Sequence, residues 1–124
     1  MKFFYRDKLS KETIPGRIIQ KAVGKESASS SLKMTVGFAR YCAEAGVMEP
    51  HHHAEETMYI IDAKDGWLRY GPEEDKLDNK ITLEPGMVLH APELEWHVFE
   101  YDEGGYVDII FIYGGDDIIG QKKF

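Results

Sequence analysis

The sequence has one cysteine, few basic residues relative to acidic ones, and no long hydrophobic run. Cys42 alone cannot form an intrachain disulfide or a cysteine-based zinc finger, and sparse cysteine is typical of a reducing cytoplasm. The 15 Lys and Arg residues, against 22 Asp and Glu, form no basic stripe that would neutralise phosphates, so we expect no nucleic-acid partner. Charge interrupts the first eight residues, and no stretch reaches the ~20 apolar residues of a membrane span. We therefore expect a cytoplasmic protein without a membrane or nucleic-acid partner.

The composition supports one folded domain. The chain has 124 residues, of which 43% are hydrophobic, and it shows no internal repeat, low-complexity tract or linker. A chain of this length buries a sizeable core as a single unit. We accordingly predict one domain over residues 1–124.

Short apolar runs separated by turn residues predict an all-β chain. The predicted strands cover residues 35–41, 57–61, 67–70, 80–83, 87–90, 96–101 and 106–113, and turn signals lie at 63–66, 71–72, 78–79 and 103–105. Strands at this spacing indicate a sandwich or a barrel. The first twenty residues are harder to interpret, and an extra strand that pairs with a second subunit is one possibility.

All five histidines fall between positions 51 and 97, and three of them are consecutive. Residues two apart in a strand share a face, so His51 and His53 can point into one cavity, and Glu56 can start a new strand directed at the same point. Imidazole and carboxylate together are ligands for Fe, Mn, Ni or Zn. A solvated loop for the three histidines and a packed core position for His97 are the alternatives.

Two segments resemble the two motifs of the cupin superfamily. In the first, at about 46–66, Gly46 precedes the histidines, and Glu56 opens an apolar strand. In the second, at about 83–101, five residues separate Gly86 from Pro92, and His97 follows five positions after Pro92. The resemblance implies an all-β cupin double-stranded β-helix, which is a jelly-roll barrel.

The resemblance also implies one divalent metal ion (Fe, Mn, Ni or Zn) bound by His51, His53, Glu56 and His97. The interval between His53 and Glu56 is one or two residues shorter than the motif usually has. An alternative frame that uses His52 restores the interval but places a proline at the first histidine position. Glu56 is preferred to Glu55 because it begins the apolar strand at the usual position.

Two further residues are candidates for catalysis. His90, on the strand before His97, is a candidate for proton transfer, although an outward or wall position is equally compatible with the pattern. Arg40 would bind a carboxylate bidentately if it points inward, whereas an outward arginine is the commoner case.

The resemblance implies a metal-dependent enzyme that acts on a small oxygen-rich molecule. Dioxygenase, isomerase, decarboxylase and lyase chemistry are all compatible with it. The alternative is a non-catalytic cupin that binds a sugar or effector with a structural metal or none. We expect a small-molecule ligand and a homodimer in either case.

Overall fold

The computed structural model describes residues 1–51 and 54–114, and within them all regular structure except two 3₁₀ turns is β-strand. The 3₁₀ turns cover Arg6–Lys8 and Ala43–Ala45. The all-β prediction is confirmed. The strands are β1 Glu12–Ile14, β2 Arg17–Val23, β3 Met34–Cys42, β4 Glu56–Gly71, β5 Asn79–Thr82, β6 Val88–Ala91 and β7 Trp96–Gly114.

All the strand pairings are antiparallel, in the order β1-β2-β3-β7-β4-β5, and β6 adds to the other edge of β4. The first half of β4 pairs with β6 and with the second half of β7. The second half of β4 pairs with β5 and with the first half of β7. The two long strands therefore run through two sheet halves, and the core lies between these halves.

Each long strand was predicted as two strands with a turn between them. The structure instead has one continuous strand in each case, and the β4–β7 ladder resumes after register shifts at Ile60/Asp62 and Lys64/Gly66. Gly66 is needed there, because a Cβ at this position would lie 2.5 Å from Cγ2 of Val107. Bulges of this kind bend a strand and increase its twist, which allows one strand to serve both sheet halves.

Apolar side chains on the inner faces form one core. Ile60, Val107 and Ile109 have no exposed surface, and Phe99 and Phe111 are almost as completely buried. The first twenty residues provide the β1–β2 hairpin, which extends the sheet beyond β3. None of the described residues belongs to a helix long and apolar enough to cross a membrane.

The outer faces carry polar networks that hold neighbouring segments together. Near the N-terminus, Arg6 donates to both carboxylate oxygens of Asp108 at 2.8 and 2.6 Å. On the other sheet half, Arg69 donates two hydrogen bonds to the carboxylate of Glu100, at 2.6 and 2.9 Å, and Trp67 donates a third at 2.9 Å. The hydrogen bonds from Arg69 are the largest cause of the lowered pKa of Glu100.

Candidate metal centre

His51 and His97 are held side by side by the backbone. The N–H of each residue donates to the carbonyl of the other at 3.0 Å, and their imidazole centroids are 4.6 Å apart. His97 lies on β7 opposite Tyr70, on the face that also carries Phe99. Both histidines are buried, with 9% and 3% of their surface exposed, so the structure brings these two predicted ligands together inside the barrel.

The two imidazoles are oriented by the same local contact. Nδ1 of His51 lies 3.4 Å from the carbonyl oxygen of Glu49, and Nδ1 of His97 lies 3.2 Å from that of Glu95. In the tautomer that donates Nδ1–H to these carbonyls, Nε2 keeps its lone pair. A hydrogen bond from the second ring nitrogen to a carbonyl is the usual partner of a metal-binding histidine.

Glu56 brings a carboxylate to the same place. It is the first residue of β4, it is 3% exposed, and its Oε1 lies 3.3 Å from Nε2 of His97. Two donor atoms that each lie about 2.1 Å from one metal ion are roughly 3.0–3.4 Å apart in octahedral or tetrahedral geometry. The separation of Glu56 and His97 therefore fits two ligands of one ion.

The remaining predicted ligand, His53, lies outside the described residues, and so does its alternative, His52. The choice between the two histidine frames therefore stays a prediction. Within 1–51 and 54–114, no three His, Cys, Asp or Glu side chains converge closely enough to enclose a metal ion. The donor types, the burial and the Glu56–His97 distance fit a divalent metal.

A cavity of about 360 Å³ borders His97. Inward side chains of β4 and β6 form much of its wall, including Met58, Leu68 and Leu89, and Tyr70 and Glu95 add polar groups. His90 also contributes to the lining of this cavity. Its neighbours on β6, Leu89 and Ala91, are buried, whereas the His90 side chain is exposed. Its Nε2 forms a hydrogen bond with the Glu55 carboxylate. The structure thus places His90 at the cavity rim and not in the histidine cluster.

Arg40 lies on the other side of its strand. On β3 the neighbouring Ala39 and Tyr41 are buried in the core, whereas the Arg40 guanidinium stacks 4.1 Å from the ring centroid of Tyr106. It borders an outer groove together with Ile18 and Asp108. The interpretation of Arg40 as an inward substrate ligand does not fit this placement, because alternate residues of a strand face opposite sides.

The arginine that does enter the interior is Arg17, which the sequence analysis did not single out. It lies on β2 two residues before the buried Ile19, and only 7% of its surface is exposed. The strand pattern around Arg17 shows an alternation, but alternation alone does not say which of two neighbouring residues faces inward. The pairing of Ile19 with Ala39 in the core decides it.

The comparisons with known proteins identify the fold. No protein-family model matches the chain, and no curated protein is similar to it in sequence. The polyketide cyclase RemF from Streptomyces resistomycificus is 16% identical and superposes with a TM-score of 0.73 over 98% of this chain and 89% of its own. Oxalate decarboxylase from Lactobacillus farciminis, in a formate complex, is 13% identical with a TM-score of 0.67, over 92% of this chain and 33% of its own. Fe(II)-HppE with an alternative substrate is 13% identical with a TM-score of 0.66, over 91% of this chain and 60% of its own.

These similar structures share the cupin fold. The chain therefore has the cupin fold as a single small domain, and the prediction made from the two motifs is confirmed. The similar structures include a cyclase, a decarboxylase and a protein solved with Fe(II). The likeness at this level of identity establishes the fold and leaves the reaction open.

Proposed function

We propose that this protein is a metal-dependent enzyme that acts on a small oxygen-rich molecule. The observation that carries the proposal is the convergence of Glu56 and His97 in the barrel interior, with the ring of His51 beside them. Buried imidazole and carboxylate groups at this separation match the ligand preferences of Fe, Mn, Ni and Zn.

The proposed ligands are His51, His53, Glu56 and His97. A bound divalent ion would supply Lewis acidity and a position at which substrate oxygens can be oriented. The chain itself holds the imidazoles through the Glu49 and Glu95 carbonyls. The wall of the neighbouring cavity is largely apolar, with Met58, Leu68 and Leu89 among its residues.

His90 is the proposed proton-transfer residue. It borders the cavity next to His97, and its Nε2 shares a hydrogen bond with the Glu55 carboxylate. A histidine at a solvent-exposed rim can carry a proton between the cavity and bulk water. This role does not require His90 to bind the metal.

Two similar structures are consistent with the proposal but do not point to one reaction. HppE was solved in its Fe(II) form, and the oxalate decarboxylase was solved with formate, a small oxygen-rich molecule. The reaction of the present chain is therefore proposed only as far as the group of dioxygenase, isomerase, decarboxylase and lyase chemistry.

We also propose that the protein is a homodimer. Tyr59 pairs with Val88 in register, and both side chains, together with that of Ile112, are exposed on the outer face of one sheet half. Burial of such a face against a second copy removes apolar surface from water. Light scattering coupled to size exclusion tests this, and a monomer across micromolar concentrations would contradict it.

Elemental analysis tests the metal proposal. The untagged protein should carry about one equivalent of Fe, Mn, Ni or Zn, and a His51→Ala, His97→Ala double variant should carry little. A His90→Ala variant is the matched control and should keep the metal of the parent. A parent protein that holds no metal and takes up none on incubation would contradict the proposal, and a metal-free binding cupin would then be the better account.

A further inference from the structure

Arg17 and Tyr41 are neighbours on the inner wall of the barrel. In the β2–β3 pairing, Ile18 lies opposite Arg40 on the outer side, and Ile19 lies opposite Ala39 on the inner side. The next step of the same antiparallel register brings Arg17 beside Tyr41. Arg17 and Tyr41 are 7% and 4% exposed, so a cation and a phenol hydroxyl share an almost fully buried position.

The polar groups of Arg17 and Tyr41 form few hydrogen bonds with the described residues. Nη1 of Arg17 donates to the carbonyl of Pro15 at 3.0 Å, and among residues 1–51 and 54–114 no carboxylate lies within salt-bridge distance of the guanidinium. The Tyr41 hydroxyl forms no hydrogen bond within the same residues. A buried guanidinium without a close ion-pair partner is unfavourable for folding, which favours a role beyond structure.

The pair is connected to the candidate metal centre through Phe99. The Tyr41 ring stacks on Phe99 with centroids 4.3 Å apart, and the Phe99 ring lies 6.5 Å from that of His97. Burial raises the pKa of Tyr41, the positive charge of Arg17 opposes this shift, and the charge of Glu56 adds to it. The hydroxyl therefore stays protonated and available as a donor near neutral pH.

We infer that Arg17 and Tyr41 bind the carboxylate of the substrate while the metal centre engages its other oxygens. A guanidinium presents planar paired donors that match a carboxylate, and a phenol hydroxyl adds one further donor. This inference rests on the proposed function and narrows its substrate class to small organic acids. Arg17 thereby takes the role that the sequence pattern had suggested for Arg40.

Calorimetric titration with glycolate and with its neutral amide, glycolamide, tests the inference in both metal-free and metal-loaded protein. The parent should bind glycolate about 10- to 100-fold more tightly than Arg17→Met does, because hydrogen bonds to charged groups contribute that range of affinity. Arg17→Lys should recover part of the loss, and Tyr41→Phe should lose about threefold to tenfold. Arg40→Met, on the outer face, is the matched control and should bind like the parent.

A purely structural Arg17 predicts different results. Loss of the Pro15 contact would then lower the melting temperature of Arg17→Met and leave glycolate binding unchanged, and that outcome would overturn the inference. Equal affinity of the parent for glycolate and glycolamide would overturn it as well. If the parent takes up no metal but its glycolate binding still depends on Arg17, the proposed enzyme function fails and the carboxylate site stands.

Discussion

Replacement of Glu56 by glutamine separates metal binding from folding. The Glu56 side chain is almost completely buried next to His97, and glutamine has the same shape without the charge. Burial of an ionised carboxylate costs more free energy than burial of a neutral amide of the same shape. In metal-free protein, the free energy of unfolding of Glu56→Gln should therefore lie within about 1 kcal/mol of the parent value or above it.

The parent and Glu56→Gln should differ in how much added metal raises the melting temperature. At a free metal concentration of about 100 times Kd, binding stabilises the parent by about 2.7 kcal/mol. Unfolding entropy near 2.1 cal/mol/K per residue gives about 0.26 kcal/mol/K for the 124 residues, so the melting temperature should rise by about 10 °C. If loss of the carboxylate weakens binding about 100-fold, the same metal concentration stabilises Glu56→Gln by about 0.4 kcal/mol, or about 2 °C.

Thermal unfolding monitored with and without Fe, Mn, Ni or Zn measures these shifts. Glu55→Gln is the matched control, because this adjacent carboxylate is exposed and bound to His90. Its metal-dependent rise should equal that of the parent. The assignment of Glu56 as the carboxylate ligand would be refuted if metal raised the melting temperature of Glu56→Gln as much as that of the parent. It would also be refuted if metal no longer raised the melting temperature of Glu55→Gln.

Three further predictions concern the histidine frame, the core and the outer polar network. His53→Ala should weaken metal uptake in elemental analysis while His52→Ala leaves it close to the parent level, and the reverse would favour the alternative frame. Ile60→Ala should lower the free energy of unfolding in urea by about 2–5 kcal/mol, whereas the exposed Ile112→Ala should change it by less than about 1 kcal/mol. Because the folded pKa of Glu100 lies below its unfolded value, its stabilisation is present above the unfolded pKa and is lost as the pH falls through the folded pKa. Glu100→Gln should thus cost about 1 kcal/mol at pH 7 and almost nothing near pH 2, and an equal loss at both pH values would contradict this explanation.

Much of the fold could be predicted from period-two alternation and from the two motifs. The seven predicted strands all overlap strands of the structure, and 80–83 and 87–90 each overshoot by one residue. The pairs 57–61 with 67–70, and 96–101 with 106–113, proved to be parts of two continuous strands. The sequence signals there are the same for a turn and for a bulge, since both use glycine and charged residues. Only the pairing of β4 with β7 on both sides of the irregularity distinguishes them.

Motif spacing was enough to predict His51, Glu56 and His97 as neighbours. It was not enough to predict which alternate residues of β3 face the interior. His51, Glu56 and His97 occupy motif positions, and the structure places both Glu56 and His51 next to His97. On β3 the more apolar set, which includes Val36 and Phe38, faces outward. The inner set includes Gly37, where a Cβ would lie 2.7 Å from Cζ of Phe111, so small inner residues make room for a large side chain on the neighbouring strand. Hydrophobicity alone would therefore place the wrong side of this strand in the core. Because Arg40 lies on that same side, it would also be placed inward.

The charged side chains of Glu56 and Arg17, both buried on the inner face, connect stability to function. Glu56 and Arg17 each occupy positions where an apolar residue of similar size would avoid the free energy of desolvating a charge. If both are retained for binding, Glu56→Gln and Arg17→Met should each leave the metal-free barrel as stable as the parent or more stable, while each removes a different interaction with metal or carboxylate. Unchanged binding together with lost stability in both variants would instead mean that the charges serve the fold alone. The sign of the stability change is therefore as informative as the loss of binding.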